Sequence, residues 1–235
     1  MKPMRIPESF LFTGIPALLL CIAVRLAIPA LGNRTGWRPL LCWYLCGGLL
    51  VFIPLLAASF ILIRRENRTG GRTDWIRRFR LTKPSAAVLG WSLTGTVVIG
   101  LLTWLLMQAG QRWIPGFSAS PAFLRVEPLG PGEKWLIAAW LPMFFLNIIG
   151  EGLYWRGFMF PRQQAAYGNR AWILHGLCWT LFHFSFGFSL VFILLPILFL
   201  TPWIVARTRS TWPDIIIHGL VNGSGFLLVA FGAVR

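Results

Sequence analysis

The chain has 235 residues, 56% of them hydrophobic and 12% charged, and its 22 basic residues against 7 acidic ones give a net charge of +15. Its apolar residues fall in runs long enough to cross a bilayer rather than in amphipathic stripes, which excludes a soluble globular domain. The arginines stand in the connections and at the ends of those runs, so the basic surplus reads as topology and headgroup contact, and no nucleic-acid partner is expected.

Runs of apolar residues predict an all-α polytopic membrane helix bundle of about seven transmembrane helices. In chain order they are Phe10–Ala30, Pro39–Ile63, Ala86–Met107, Trp135–Tyr154, Ala171–Phe186, Leu190–Val205 and Trp212–Ala230. The first run is long for a signal-peptide core and lacks a small-residue cleavage site, so it is expected to stay as a helix. The connection Arg64–Lys83 carries Arg64, Arg65, Arg68, Arg72, Arg77, Arg78, Arg80 and Lys83 against Glu66 and Asp74. By the positive-inside rule it is cytoplasmic, and so is the N-terminus. Leu81-Thr82-Lys83-Pro84-Ser85 then reads as a helix start, with proline and serine before the third span.

Alternating from that anchor, the Pro- and Gly-rich connection Gln108–Lys134 falls outside, an Arg156–Arg170 loop and the Arg207–Arg209 turn fall inside, and Arg235 ends outside. Cys21, Cys42, Cys46 and Cys178 lie in apolar segments without zinc-site or disulfide-framework spacing, and read as small buried hydrophobes. No internal repeat is visible. A single transmembrane domain over 1–235 accounts for the chain.

Inside this apolar sequence, Glu151, Arg156, His183, His218 and Asn222 stand out, because titratable side chains in hydrocarbon are costly and mark function by default. On a helix His218 and Asn222 share a face, as do Trp179 and His183, whereas the spacing of five sets Glu151 and Arg156 apart. Counting about 1.5 Å per residue from the predicted cytoplasmic boundaries puts His218 roughly 9 Å, Asn222 roughly 15 Å, His183 roughly 18 Å and Glu151 roughly 8–15 Å deep. All four can meet in the cytoplasmic half.

A carboxylate, two imidazoles and a carboxamide around one wet cavity suit amide hydrolysis without a covalent intermediate. Glutamate can take a proton from water, a histidine can position that water or protonate the leaving amine, and the second imidazole with the amide NH2 can hold the oxyanion. Other readings stand beside this one. Glu151 could pair with Arg25 across helices, the histidines could be hydrogen-bonded packing, and Asn222 before Gly223-Ser224-Gly225 could mark a close helix contact. His175 reads as interfacial and Trp179 as ring support.

The motifs and their order resemble the CPBP family of intramembrane proteases, which holds the type II CAAX prenyl endopeptidases and bacteriocin-processing or immunity-associated relatives. The family pattern is Glu-Glu-x-x-x-Arg-Gly, then Phe-x-x-x-His, then His-x-x-x-Asn. Here it reads Glu151-Gly152-Leu153-Tyr154-Trp155-Arg156-Gly157, Trp179-Thr180-Leu181-Phe182-His183 and His218-Gly219-Leu220-Val221-Asn222. The approach Arg207-Thr208-Arg209-Ser210-Thr211-Trp212-Pro213 resembles the family's Arg-Thr-Gly-Ser-x-Trp-Pro. The resemblance spans Trp135–Ala230, a core within the single domain.

The resemblance implies that Glu151 and His183 activate water, that His218 and Asn222 form the oxyanion site, and that Arg156 and Trp179 support them. It implies no cofactor; a zinc site of Glu151, His183 and His218 is chemically conceivable, but no His-Glu-x-x-His motif accompanies it. Two residues depart from the pattern: Gly152 replaces the second glutamate and Trp179 the phenylalanine. If the missing carboxylate only orients the arginine, a protease remains; if it is required, the chain is a scaffold or immunity factor. A proton-coupled transporter is a third class, without the inverted repeat such folds often carry. The expected partners are a peptide or membrane-protein substrate reached from the cytoplasm, and the bilayer. The arginine-rich, lysine-poor composition suggests a bacterial inner membrane.

Overall fold

In a computed structural model the chain is described over residues 2–66, 74–121, 123–124 and 128–233. Arg68 and Arg72 of the basic connection, and the terminal Arg235, lie outside the described residues. Among the described residues the regular structure is entirely helical.

The first antiparallel pair is built of bent helices. α1 (Ile6–Ile22) runs through a π turn at Ala23–Ala27 into α2 (Ile28–Thr35), which ends at Gly36 with φ 69°. α3 (Pro39–Gly47) passes through a second π turn, Gly48–Phe52, into α4 (Ile53–Glu66). Pro39 at the first position of α3 costs no hydrogen bond there, because that N–H group would have no partner within the helix. The short α5 (Trp75–Arg78) is capped by Asp74, whose carboxylate accepts from the Arg77 N–H at 3.1 Å. α6 (Ala86–Trp113) begins as the sequence predicts, with Ser85 Oγ accepting from the Val88 N–H at 3.3 Å.

The fourth and fifth predicted spans fall within one helical stretch, Pro131–Phe186, one of six among the described residues with the length and apolarity to cross a membrane; the chain reverses inside it, so each of the seven predicted runs is helical. Within it, α7 (Trp135–Glu151) continues through a π turn, Gly152–Met159, into α8 (Phe160–Tyr167). The chain reverses at Gly168, φ 56°, into α9 (Ala171–His183). α10 (Phe188–Thr208) and α11 (Trp212–Ala230) complete the bundle.

The expected Arg156–Arg170 loop is therefore helix, and residues 151–163 are all buried. The charges are tolerated because each finds an acid. Arg162 donates to Glu66 through Nε at 2.9 Å and Nη2 at 2.6 Å, and Arg156 pairs with Asp214. Arg78 joins the same Glu66 at 2.6 Å, tying α4, α5 and α8 at one end of the bundle.

At that end the segment after α5 docks on the turn between α10 and α11. Thr211 Oγ1 donates to the Phe79 carbonyl at 2.6 Å, and Trp212 Nε1 donates to Leu81 and Thr82 carbonyls at 3.2 and 3.0 Å. Phe79 is thereby pressed against Gly157, where a Cβ would meet its Cδ1 at 2.6 Å. That close approach gives the glycine of the Arg156-Gly157 motif a packing reason. At the opposite end the Leu129 N–H donates to the Ala230 carbonyl at 2.9 Å, and Arg38 pairs with Glu133 at 2.7 Å.

Candidate active site

Glu151 is the last residue of α7 and is 1% exposed. Both its oxygens accept hydrogen bonds: Oε1 from Asn147 Nδ2 at 2.7 Å, one turn earlier on the same helix, and Oε2 from Trp179 Nε1 at 2.7 Å, across from α9. A carboxylate has about four acceptor positions, so two remain for a water or substrate proton. Arg25 is exposed and forms no ion pair with Glu151 among the described residues, so the interhelical pair with Arg25 is not present.

His183 reaches the same cluster from α9. Its Nδ1 lies 2.9 Å from the Trp179 carbonyl. A carbonyl only accepts, so Nδ1 carries the proton and the neutral ring keeps its lone pair on Nε2. The ring meets Trp179 edge on, with centroids 5.4 Å apart, and His218 from α11 meets the same indole at 5.6 Å. His218 Nδ1 is buried with no hydrogen-bond partner among the described residues.

Asn222, one turn beyond His218, donates from Nδ2 to Asn147 Oδ1 at 3.3 Å. The orientation of both amides follows from Glu151. A carboxylate takes the Asn147 NH2, leaving Asn147 Oδ1 to accept the NH2 of Asn222. All four residues proposed for chemistry on sequence grounds thus converge around one indole ring and one carboxamide.

Arg156 joins them in a way that the α-helical spacing did not suggest. The π turn starting at Gly152 bonds residues five apart, so Glu151 and Arg156 come toward one face. The guanidinium carbon lies 3.4 Å above the Trp179 ring centroid, and Nε lies 2.8 Å from Asp214 Oδ1, with both side chains fully buried. The expectation that Glu151 and Arg156 stand well apart is corrected by this change of helical register.

Sequence reasoning missed Asn147 and Asp214. Each carried a signal: Asn147 is four residues before Glu151, and Asp214 is an acid four residues before His218 on the same apolar span. It also misjudged His175, which is fully buried rather than interfacial, because α8 folds back on α9 and covers it. Its Nδ1 lies 2.6 Å from Gln163 Oε1, and Gln163 Nε2 donates to Ser9 Oγ at 3.1 Å. Of the cysteines, Cys42, Cys46 and Cys178 are buried as expected and Cys21 is half-buried.

The cluster forms the floor of a cavity of about 450 Å³. Lining residues run along α11 from His218 to Val229 and include Thr103 and Met107 late in α6, with 119–121 and 123–124 from the following connection. The cavity therefore extends from Glu151 toward the Gln108–Lys134 end of the bundle. Behind the floor, on the basic side, Trp155, Arg156, Met159, Phe79, Thr211 and Asp214 are no more than 1% exposed and close the bundle. The described residues contain no group of three or more His, Cys, Asp or Glu side chains arranged to hold a metal ion. Glu151, His183 and His218 are not grouped as a ligand set.

Neither a curated protein nor a solved structure matches the chain. A family model does, over residues 133–224, described as type II CAAX prenyl endopeptidase Rce1-like. That segment runs from the start of α7 into α11 and contains all three motifs in their order. With its apolar helical stretches the chain is an integral membrane protein, and its residues 133–224 are similar to the type II CAAX prenyl endopeptidase Rce1-like family.

Proposed function

We propose that the chain is an intramembrane endopeptidase that hydrolyses a peptide bond with glutamate-activated water. The observation that carries this reading is the convergence of Glu151, His183, His218 and Asn222 on the floor of one cavity. Glu151 takes a proton from a water as its oxygen adds to the carbonyl carbon, with the Nε2 lone pair of His183 holding that water. The oxyanion is held by His218 and by the Asn222 NH2 hydrogen that Asn147 does not use. The C–N bond then breaks and the departing amine takes the proton. The reaction needs no metal.

The cavity walls are chiefly apolar, which suits a peptide or membrane-protein segment with apolar groups. The basic connections make the N-terminus cytoplasmic in a bacterial inner membrane. With the basic side of the floor packed shut and the cavity running the other way, substrate enters from the face of residues 119–121 and 123–124, not from the cytoplasm. This reading differs from the cytoplasmic access expected from the sequence.

The test is cleavage of a mixed peptide and membrane-protein library by the detergent-solubilised protein, with and without chelator. Wild type is expected to cleave, Glu151→Gln to lose about a hundredfold or more, and chelator to change nothing. An unchanged rate in Glu151→Gln overturns the mechanism, and a folded but silent wild type favours the scaffold reading.

A further inference from the structure

The missing second carboxylate of the Glu-Glu-x-x-x-Arg-Gly pattern has a counterpart elsewhere in the fold. A Cβ built on Gly152 would lie 3.1 Å from Asp214 Oδ2 and 3.4 Å from Ile215 Cγ1. The space beside Gly152 is thus taken by the carboxylate of Asp214, which arrives from the first turn of α11. We propose that Asp214 supplies from α11 the carboxylate that position 152 lacks, holding Arg156 over Trp179 and so keeping Glu151 available as base. This rests on the protease reading above.

Arg156 Nε contacts Asp214 Oδ1 at 2.8 Å, and Nη1 and Nη2 have no hydrogen-bond acceptor among the described residues. Asp214 and the face of Trp179 are therefore what hold the guanidinium. Trp179 in turn donates to Glu151, accepts from His183 through its carbonyl and packs against His218. Neither Arg156 nor Asp214 lines the cavity, so both are positioning residues.

The geometry allows one carboxylate at this spot. A glutamate at 152 beside Asp214 would put two acids in contact, whereas with Asp214 removed it would have room and the same arginine to meet. With neither acid present, the next carboxylate in the cluster is Glu151. Arg156 would pair with it, leaving substrate binding intact and removing the base.

The experiment compares wild type with Asp214→Ala, Asp214→Asn, Gly152→Glu and the double variant Gly152→Glu/Asp214→Ala, in detergent. Both kinetics and thermal unfolding midpoints are read. Each single change is expected to lower kcat by about thirtyfold with KM little changed, and the double variant to recover most of the loss. The unfolding midpoint is expected to fall in Gly152→Glu and in Asp214→Ala, and to return in the double. Wild-type kcat in Asp214→Ala and Asp214→Asn, or a double variant no better than the worse single, overturns the proposal. If no protein cleaves, the protease reading fails by itself and the midpoints decide: reciprocal recovery upholds the relocated carboxylate, and additive loss overturns it.

Discussion

The indole N–H of Trp179 donates to Glu151 Oε2 at 2.7 Å while the face of the same ring lies 3.4 Å beneath the guanidinium carbon of Arg156. One side chain thus fixes a carboxylate at its edge and a guanidinium on its face. The phenylalanine of the family pattern could provide the face alone.

Trp179→Phe separates these two roles. The ring remains for Arg156, but the buried Glu151 carboxylate loses a donor, so the unfolding midpoint should fall as well. The lost donor to a charged group is worth about 1.5–3 kcal/mol, which predicts a fall in kcat of about tenfold or more. Steady-state kinetics of the purified variant, beside its melting curve, checks this.

Asn147 and Asn222 act as one unit if the amide chain to Glu151 sets the orientation of both. Asn147→Ala and Asn222→Ala are each expected to lower kcat, and the double variant to be little worse than the more damaged single. A double-mutant cycle should therefore give a coupling of about 1–2 kcal/mol. Additive losses would mean that the 3.3 Å contact between them carries no function.

Arg209 closes α10 with φ 52°, the left-handed region, at the position where the family approach motif has glycine. A side chain there costs about 1–2 kcal/mol, partly offset by the greater freedom that glycine gains in the unfolded chain. Arg209→Gly is expected to stabilise by about 0.5–1 kcal/mol, read as a raised unfolding midpoint, without change in kcat.

Orientation is checked by cysteine labelling. Ser120 and Lys83 are exposed at opposite ends of the bundle, Ser120 beside the cavity and Lys83 in the basic connection. A membrane-impermeant maleimide should label Ser120→Cys in intact cells and Lys83→Cys only after permeabilisation, above the signal of the unsubstituted chain. The reverse pattern would put the cavity mouth in the cytoplasm.

Features that depend on local spacing are legible in the sequence. Runs of apolar residues locate the helices because hydrocarbon demands them, Ser85 and Pro84 mark the start of α6, and His218 with Asn222 share a face because they are four apart. The tertiary structure alone decided the rest. A π turn after Glu151 brought Arg156 over Trp179, against the α-helical count of five. Buried pairs with Asp214 and Glu66 let Arg156 and Arg162 stay inside the bundle, where the charges themselves suggested a loop. Asp214 lies far along the chain from Gly152, and only the packing of α11 on the π turn puts its carboxylate beside that glycine. Contacts between distant segments and shifts of helical register leave little trace in local spacing, so these features emerged only once the helices were packed.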